Sequence, residues 1–270
     1  MSKWLINPQQ LKACYQQGDV VVVDCRFSLA DPAEGERCYR ERHIPGAHYL
    51  HLERDLSAPK GVHGGRHPLP ELEPLVAKLR AIGVNNDTLI VAYDDSRLAF
   101  ASRLWWLLRY LGHDRVKLLD GGFRAWCDVG LPVDGELPVV QPGSLQPSLR
   151  SELAVDIETV KSRQGQPDCA LIDSRERERY LGLSEPIDPI AGSIDGAVNY
   201  PWMEVTDEQG VFKLRDQQQA RLASVVDSDD IIVYCGSGVT ACVNLLALSE
   251  LGRDDARLYA GSWSDWCSYL

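Results

Sequence analysis

The strongest candidate for chemistry in this sequence is Cys235, which stands in the glycine-rich segment Tyr-Cys-Gly-Ser-Gly-Val-Thr-Ala at residues 234–241. The β-branched run before it predicts a buried strand, and the apolar spacing after it predicts a helix. Gly236 and Gly238 allow main-chain N–H groups at such a junction to turn toward one point and to stabilise a negative charge. We therefore expect Cys235 to be a thiolate nucleophile. The alternative is a small buried cysteine that only fills space at the strand end.

The elements that must position Cys235 are alternating strands and helices. Proline and glycine recur without periodicity in residues 131–148, which is typical of a linker. The alternation predicts a mostly parallel sheet covered by helices. In the first half, the patterns predict helices at about 8–17, 71–82 and 99–111 and strands at about 20–23, 89–93 and 116–119.

The second half of the chain repeats the first. Residues 170–175 repeat 21–26, residues 192–200 repeat 42–50, and residues 261–266 repeat 121–126. A repeat of this length indicates duplicated domains rather than a solenoid. We therefore predict an α/β fold with two tandem domains, each a mostly parallel sheet flanked by helices. The predicted ranges are 1–135 for the first domain, 136–150 for a linker and 151–270 for the second domain.

Only the second copy carries the nucleophile, because the repeat aligns Cys235 with Asp95. The first copy is therefore predicted to be catalytically inert. It has a longer loop at residues 56–70, which contains Arg66 and His67. An inert copy with an enlarged loop that bears histidine suggests the hypothesis that this loop helps to build the site at Cys235.

The composition of the chain argues against several classes of function. The 270 residues carry a net charge of -11, with 39 acidic against 28 basic residues. This acidic balance argues against a protein that binds nucleic acid and against one that binds an anionic membrane surface. No apolar run approaches the ~18 residues of a membrane span, and we expect no signal peptide. The 8 cysteines show no zinc-ligand spacing, so we expect reduced thiols, a cytoplasmic location and no metal site.

Together these motifs resemble the rhodanese superfamily, specifically its tandem-domain sulfurtransferases. The resemblance covers nearly the whole chain and is carried by residues 173–175, 196–197, 235–240 and 121–126. The 235–241 segment resembles the active-site loop of the 3-mercaptopyruvate sulfurtransferases. The resemblance implies that Cys235 takes a sulfur atom from a donor as a persulfide and passes it to an acceptor, with no organic cofactor and no metal.

The resemblance also implies roles for individual residues. A leaving pyruvate enolate needs a proton, and the positions that match the family's proton relay are Ser237, His67 and Asp55. His67 could instead be a solvated loop residue, and Asp55 a turn residue or helix cap. The loop residues that would bind the donor and the persulfide through main-chain N–H groups are Gly236, Gly238, Val239 and Thr240.

An anionic donor also needs a cation. Arg179 matches the first anion-binding position of the family, and the second falls on Ile187. Arg66 is the candidate that could replace the second arginine. Arg179 could alternatively form only a surface ion pair with Glu176 or Glu178. The donor therefore stays open between 3-mercaptopyruvate and thiosulfate.

Two other functions remain open. The first alternative is a phosphatase, because phosphatases with a Cys-x5-Arg loop have a related fold. The sixth residue after Cys235 is Ala241 rather than arginine, which argues against this function. The second alternative is a sulfur carrier that delivers its persulfide to a partner protein. For the sulfurtransferase, the expected partners are a small-molecule sulfur donor, a thiol or cyanide acceptor, and a thioredoxin-like reductant.

Overall fold

The computed structural model describes residues 2–18, 20–139 and 141–270, except for the side chains of Gln16 and Gln17. Residues 1, 19 and 140 lie outside the described residues, although the predicted domain and linker ranges include them. The chain forms two compact units, and each contains a short segment from the other repeat. The first unit consists of Met1–Ala58, Pro70–Arg150 and Glu208–Phe212, and the second of Pro59–Leu69, Ser151–Asp207 and Lys213–Leu270.

The first unit is a five-stranded parallel sheet in the order β1-β5-β4-β2-β3. Its central strands are runs of valine, isoleucine and leucine, as expected for strands that are covered on both faces. Its elements are β1 (Leu5–Ile6), α1 (Pro8–Gln17), β2 (Val20–Asp24), α2 (Glu34–Glu41), β3 (His48–Tyr49), α3 (Leu52–Asp55), α4 (Leu72–Ala81), β4 (Leu89–Tyr93), α5 (Ala101–Tyr110), β5 (Val116–Leu119) and α6 (Gly122–Asp128).

The second unit repeats this design, with the strand order β6-β10-β9-β7-β8 and only parallel pairs. The shared order confirms the predicted α/β fold of two tandem copies. Its elements are β6 (Ala154–Val155), α7 (Ile157–Arg163), β7 (Cys169–Asp173), α8 (Arg177–Tyr180), β8 (Val198–Asn199), α9 (Arg215–Leu222), β9 (Asp230–Tyr234), α10 (Ala241–Glu250), β10 (Arg257–Tyr259) and α11 (Ser262–Trp266), with 3-10 turns at Ser151–Leu153, Trp202–Val205 and Cys267–Tyr269.

Part of the predicted linker packs against the first unit. Leu145 is buried, the N–H of Gly143 donates to the carbonyl of Arg80 at 2.7 Å, and the N–H of Ser148 donates to the carbonyl of Leu111 at 2.8 Å. These main-chain hydrogen bonds hold the segment in place although it has no periodic apolar pattern. The domain and linker boundaries given above remain a prediction.

The sheet register corrects one alignment made from the sequence. β4 pairs Tyr93 with Asp24, and β9 pairs Tyr234 with Asp173, so the two tyrosines are equivalent. The residue that follows Tyr93 therefore matches Cys235, and the prediction that Asp95 does so is wrong. The cause is an insertion: residues 94–100 join β4 to α5, whereas the shorter stretch 235–240 joins β9 to α10.

The residue equivalent to Cys235 is Asp94, whose buried carboxylate is ringed by main-chain N–H groups. The donors are the amides of Ser96 at 2.8 Å, Leu98 at 3.0 Å, Phe100 at 2.9 Å and Ala101 at 2.8 Å. Burial raises the pKa of Asp94 to about 6, against the effect of these hydrogen bonds, so the carboxylate is charged at neutral pH. The strand-to-helix loop of the first unit is therefore a ring of amides around one negative charge.

This arrangement predicts that Asp94→Ala destabilises the protein much more than Asp95→Ala. Loss of the carboxylate leaves buried amides without an acceptor, at a cost of about 3 kcal/mol, whereas Asp95 is exposed. Urea denaturation followed by tryptophan fluorescence measures both free energies of unfolding. Equal losses for the two variants would contradict the corrected alignment.

Candidate functional site

Cys235 lies directly after β9, the central strand of the second sheet. Its N–H donates to Oγ of Ser262 at 3.1 Å, and its carbonyl accepts from the N–H of Trp263 at 3.0 Å. The residue is 2% exposed. The main chain on both sides of the thiol is therefore fixed by hydrogen bonds, and the thiol itself is buried.

Ser262 is a residue of this site that the sequence analysis did not identify. It has a left-handed φ of 57°, and the first unit has Gly122 at the equivalent place with a φ of 63°. A side chain in this conformation costs about 1–2 kcal/mol, and the hydroxyl group offsets part of that cost by accepting the hydrogen bond from Cys235. The change from glycine to serine between the repeated segments was the signal that could have revealed it.

The loop after Cys235 needs its second glycine for a steric reason. Gly238 has a φ of +74°, and a Cβ there would overlap the carbonyl oxygen of Ala260. Within the part of the chain that the structure describes, the amides of Gly236, Val239 and Thr240 donate no hydrogen bond to another residue. Because the matching loop of the first unit encloses a carboxylate, this loop is suited to an anion beside the sulfur.

His67 and Ser237 meet in the second unit. Nδ1 of His67 lies 2.8 Å from Oγ of Ser237, and both residues are buried. An imidazole and a hydroxyl at this distance can pass a proton between them. The structure therefore brings together two of the three residues that were predicted to form a proton relay.

The loop that carries His67 belongs to the second unit, although it lies within the first repeat. The N–H of Gly64 donates to Oδ1 of Asp265 at 2.6 Å, and the N–H of Arg66 donates to Oγ of Ser264 at 3.1 Å. These bonds attach the loop to α11, which starts just after β10. The enlarged loop therefore packs with the unit that carries Cys235, and the hypothesis that it helps to build the site stays a prediction.

Asp55, the third predicted member of the relay, belongs to the first unit. Its carboxylate accepts the N–H of His51 at 2.8 Å and lies 3.0 Å from Nζ of Lys78. These contacts fit the alternative of a turn or capping residue, because Asp55 is the last residue of the short helix α3 and accepts the N–H of its N-cap, His51. Its part in proton transfer remains a prediction.

Two guanidinium groups approach the residue next to the nucleophile. An ideal Cβ on Gly236 would lie 2.8 Å from Nη2 of Arg66, 3.4 Å from Nη2 of Arg179 and 3.6 Å from Nη1 of Arg179. The absence of a side chain at Gly236 therefore allows the close approach of Arg66, whereas the distances to Arg179 are those of ordinary contacts. Arg179 lies 3.8 Å from Glu176, so the predicted surface pair is present but is a long contact.

Two buried carboxylates balance these cations. Asp188 pairs with Arg66 and also lies 3.1 Å from Nη2 of Arg179, and Glu185 lies 2.8 Å from the same nitrogen. Burial raises the pKa of Asp188, although the two arginines oppose this. Burial also acts to raise the pKa of Glu185, but hydrogen bonds from Arg179 and from the main chain at Ile187 and Asp188 outweigh it and lower that pKa.

Asp188 was not identified from the sequence because its partner Arg66 lies 122 positions away in the chain. The neighbouring Ile187 is 48% exposed and occupies the position where the family resemblance implies an arginine. Arg66, which comes from the 59–69 loop, approaches Gly236 instead. An apolar residue at an expected cationic position was the signal that a replacement had to be sought elsewhere.

Other features of the described residues bear on function. They contain no group of three His, Cys, Asp or Glu side chains arranged to hold a metal ion. None of the helices in the described ranges is long and apolar enough to cross a membrane. The cysteines at positions 14, 25, 38, 127, 169, 235, 242 and 267 are all free thiols.

Comparison with known proteins identifies what the chain is similar to. The family model "Rhodanese-like domain" matches residues 7–128 and 156–269. A probable 3-mercaptopyruvate sulfurtransferase of Pseudomonas aeruginosa is 47% identical over 271 aligned residues, which cover 98% of this chain and 95% of the relative. The thiosulfate sulfurtransferase of Bos taurus is 33% identical over 98% of this chain and 90% of its own length.

Among solved structures, the 3-mercaptopyruvate sulfotransferase SseA of Escherichia coli is similar in fold. The match has a TM-score of 0.83 and 30% sequence identity, and it covers 97% of this chain and 99% of that one. The similarity therefore extends over both units.

The two loop glycines are predicted to respond differently to substitution by alanine. Gly236→Ala should change the free energy of unfolding by less than about 1 kcal/mol, because its new Cβ meets only the ends of arginine side chains and no main-chain atom. Gly238→Ala should cost about 2 kcal/mol or more, because it combines a positive φ with main-chain overlap. Urea denaturation measures both values, and a larger cost for Gly236→Ala would contradict the geometry of this loop.

Proposed function

The chain belongs to the rhodanese family of sulfurtransferases, and from that premise we propose that it transfers one sulfur atom through a persulfide on Cys235. The observation that carries the proposal is the loop at residues 235–240, whose counterpart in the first unit surrounds the charged carboxylate of Asp94. A thiolate and a persulfide are anions of the same charge. A ring of main-chain amides stabilises either of them beside Cys235.

The proposed reaction has two steps. The Cys235 thiolate attacks the outer sulfur of the donor, an S–S bond forms, and the bond between that sulfur and the rest of the donor breaks. The leaving electron pair departs on sulfite when the donor is thiosulfate, or on the enolate of pyruvate when it is 3-mercaptopyruvate. The acceptor then attacks the outer sulfur of the persulfide, and the Cys235 thiolate is restored.

The preferred donor in this proposal is 3-mercaptopyruvate, and thiosulfate is the second candidate. The pairing of His67 with Ser237 favours the first donor, because an enolate needs a proton and sulfite does not. Relatives of this chain are named for each of the two donors. Arg66 and Arg179 would hold the anionic end of either donor, since both guanidinium groups approach Gly236.

Proton transfer in this proposal uses Ser237 as the group nearest the leaving enolate and His67 as its proton source. The loop amides of Gly236, Gly238, Val239 and Thr240 would bind the anionic sulfur. The buried position of Ser237 and His67 supports the relay, because exclusion of water strengthens hydrogen bonds between them.

The proposal also includes the molecule that accepts the sulfur and the cellular compartment in which the chain works. Cyanide or a small thiol would take the sulfur, and a thioredoxin-like protein would supply a physiological dithiol. The chain would work in the cytoplasm, which is supported by its 8 cysteines being free thiols. A persulfide that forms but reacts poorly with both small acceptors would favour the sulfur-carrier alternative.

Cys235→Ser is predicted to reduce sulfur transfer to the uncatalysed background with either donor. The hydroxyl group at this position is a poor nucleophile, and the fold should persist because the change is small. Thiocyanate formation from cyanide measures turnover, and thermal melting checks the fold. Cys169→Ser, a change at the half-buried start of β7, is the matched control and should keep full activity. Activity in Cys235→Ser comparable to that of the control would rule out the mechanism.

His67→Gln is predicted to separate the two donors. With 3-mercaptopyruvate, kcat should fall by about 10²–10⁴-fold, the usual loss when a general acid is removed. With thiosulfate, kcat should stay within a few-fold of the wild-type value, because sulfite leaves without a proton. Steady-state kinetics with both donors measure the split, and equal losses would exclude a proton-donor role for His67.

A further inference from the structure

A single buried carboxylate lies between the two arginines at the candidate site. One oxygen of Asp188 pairs with Nη1 of Arg66, and the other lies 3.1 Å from Nη2 of Arg179. The side chain of Asp188 is 2% exposed, and those of Arg66 and Arg179 are 21% and 12% exposed. The three groups therefore form one ionic cluster that is largely shielded from water.

The same contacts determine where the remaining guanidinium nitrogens point. Arg66 uses Nη1 for Asp188, and its Nη2 lies 2.8 Å from the position that a Cβ on Gly236 would take. Arg179 uses Nε and Nη2 for Glu185 and Asp188, while Nη1 and Nη2 also approach Gly236. A guanidinium is planar and rigid, so a contact at one nitrogen restricts where the others can lie. Asp188 therefore restrains Arg66, and together with Glu185 it restrains Arg179.

Arg66, the partner of Asp188 on the 59–69 loop, links the ionic cluster to the proposed proton relay of His67 and Ser237. Arg66 and His67 are consecutive, and His67 contacts Ser237 at 2.8 Å. The ion pair of Arg66 with Asp188 holds the side of the loop from which the imidazole extends. Ile187, next to Asp188, is apolar and cannot provide the second cation itself.

We propose that Asp188 is a positioning residue that recruits Arg66 in place of an arginine at position 187 and orients Arg66 and Arg179 as a clamp for the anionic group of the sulfur donor. The proposal rests on the function proposed above, in that the clamped anion belongs to the donor that reacts with Cys235. The donors of this class are small and carry a carboxylate or a sulfonate-like group.

If Asp188 competed with the donor instead of positioning the arginines, its removal would change anion binding at Cys235 in the opposite direction. If its carboxylate acted only as a competing anion, its removal would strengthen the binding of other anions at Cys235. If it positions the arginines, its removal lets both guanidinium groups move away from Gly236, and anion binding weakens. Charge selectivity at Cys235 therefore separates the two roles.

The test measures alkylation of Cys235 by iodoacetate, an anion, and by iodoacetamide, its neutral analogue. Mass spectrometry of the Cys235 peptide gives both rates, and N-acetylcysteine gives the reference ratio for a free thiol. The variants are Asp188→Asn, Arg66→Ala and the double variant. The matched control is Asp195→Asn, which removes one exposed acidic charge from the same unit. This readout needs no sulfur transfer, so it stands even if the proposed function fails.

The wild type should prefer iodoacetate relative to the free thiol. Asp188→Asn and Arg66→Ala should each lower that preference by about 10- to 100-fold, the range for a lost charge-assisted hydrogen bond. The double variant should lose less than the product of the two single effects, because both changes act on one cluster. KM for the anionic donor should rise in parallel, and Asp195→Asn should match the wild type.

The proposal is overturned if Asp188→Asn leaves the iodoacetate preference unchanged or increases it. It is also overturned if the two single effects multiply fully in the double variant, since Asp188 would then act independently of Arg66. Arg66 is partly exposed, so Arg66→Ala should fold. If thermal melting shows that Asp188→Asn does not fold, Arg66→Ala still tests the same ion pair from its other side.

Discussion

The structure depends on a negative charge held by main-chain amides where a buried parallel strand turns into a helix. The first unit shows this interaction directly, because four amides donate to the carboxylate of Asp94. The second unit places Cys235 at the equivalent position, on a main chain fixed by Ser262 and Trp263. The two repeats thus share one backbone design. In the first repeat the amides bind its own aspartate, and in the second we propose that they stabilise the sulfur anion of Cys235.

The charged side chains around the loop at residues 235–240 complement that backbone design. Gly236 has no side chain, which lets Arg66 approach the main chain next to Cys235, and Arg179 contacts the same residue at ordinary distances. Two neighbouring guanidinium groups that are largely shielded from water need counter-charges, which Asp188 and Glu185 supply. The site is therefore an alternating array of charges in which each arginine is oriented by a carboxylate.

The sequence predicted those parts of the molecule that depend on local pattern. Apolar runs located the strands, the internal repeat revealed the duplication, and glycines around Cys235 indicated the reactive loop. The alignment of Asp95 with Cys235 was wrong because one extra loop residue in the first repeat leaves no apolar trace. The pairing of Arg66 with Asp188 could not be predicted, because it joins positions far apart in the chain through side-chain geometry that no periodicity records. His67 was nominated from two signals, the difference in length between the repeats near residue 67 and the family resemblance.

The most direct test of the central claim is the mass of the intact protein after brief treatment with 3-mercaptopyruvate or thiosulfate and removal of excess donor. The account predicts a gain of one sulfur atom, located by peptide mapping at Cys235 and lost again when cyanide is added. A protein that gains no sulfur, or that carries it on another of its cysteines while Cys235 stays unmodified, would contradict the account.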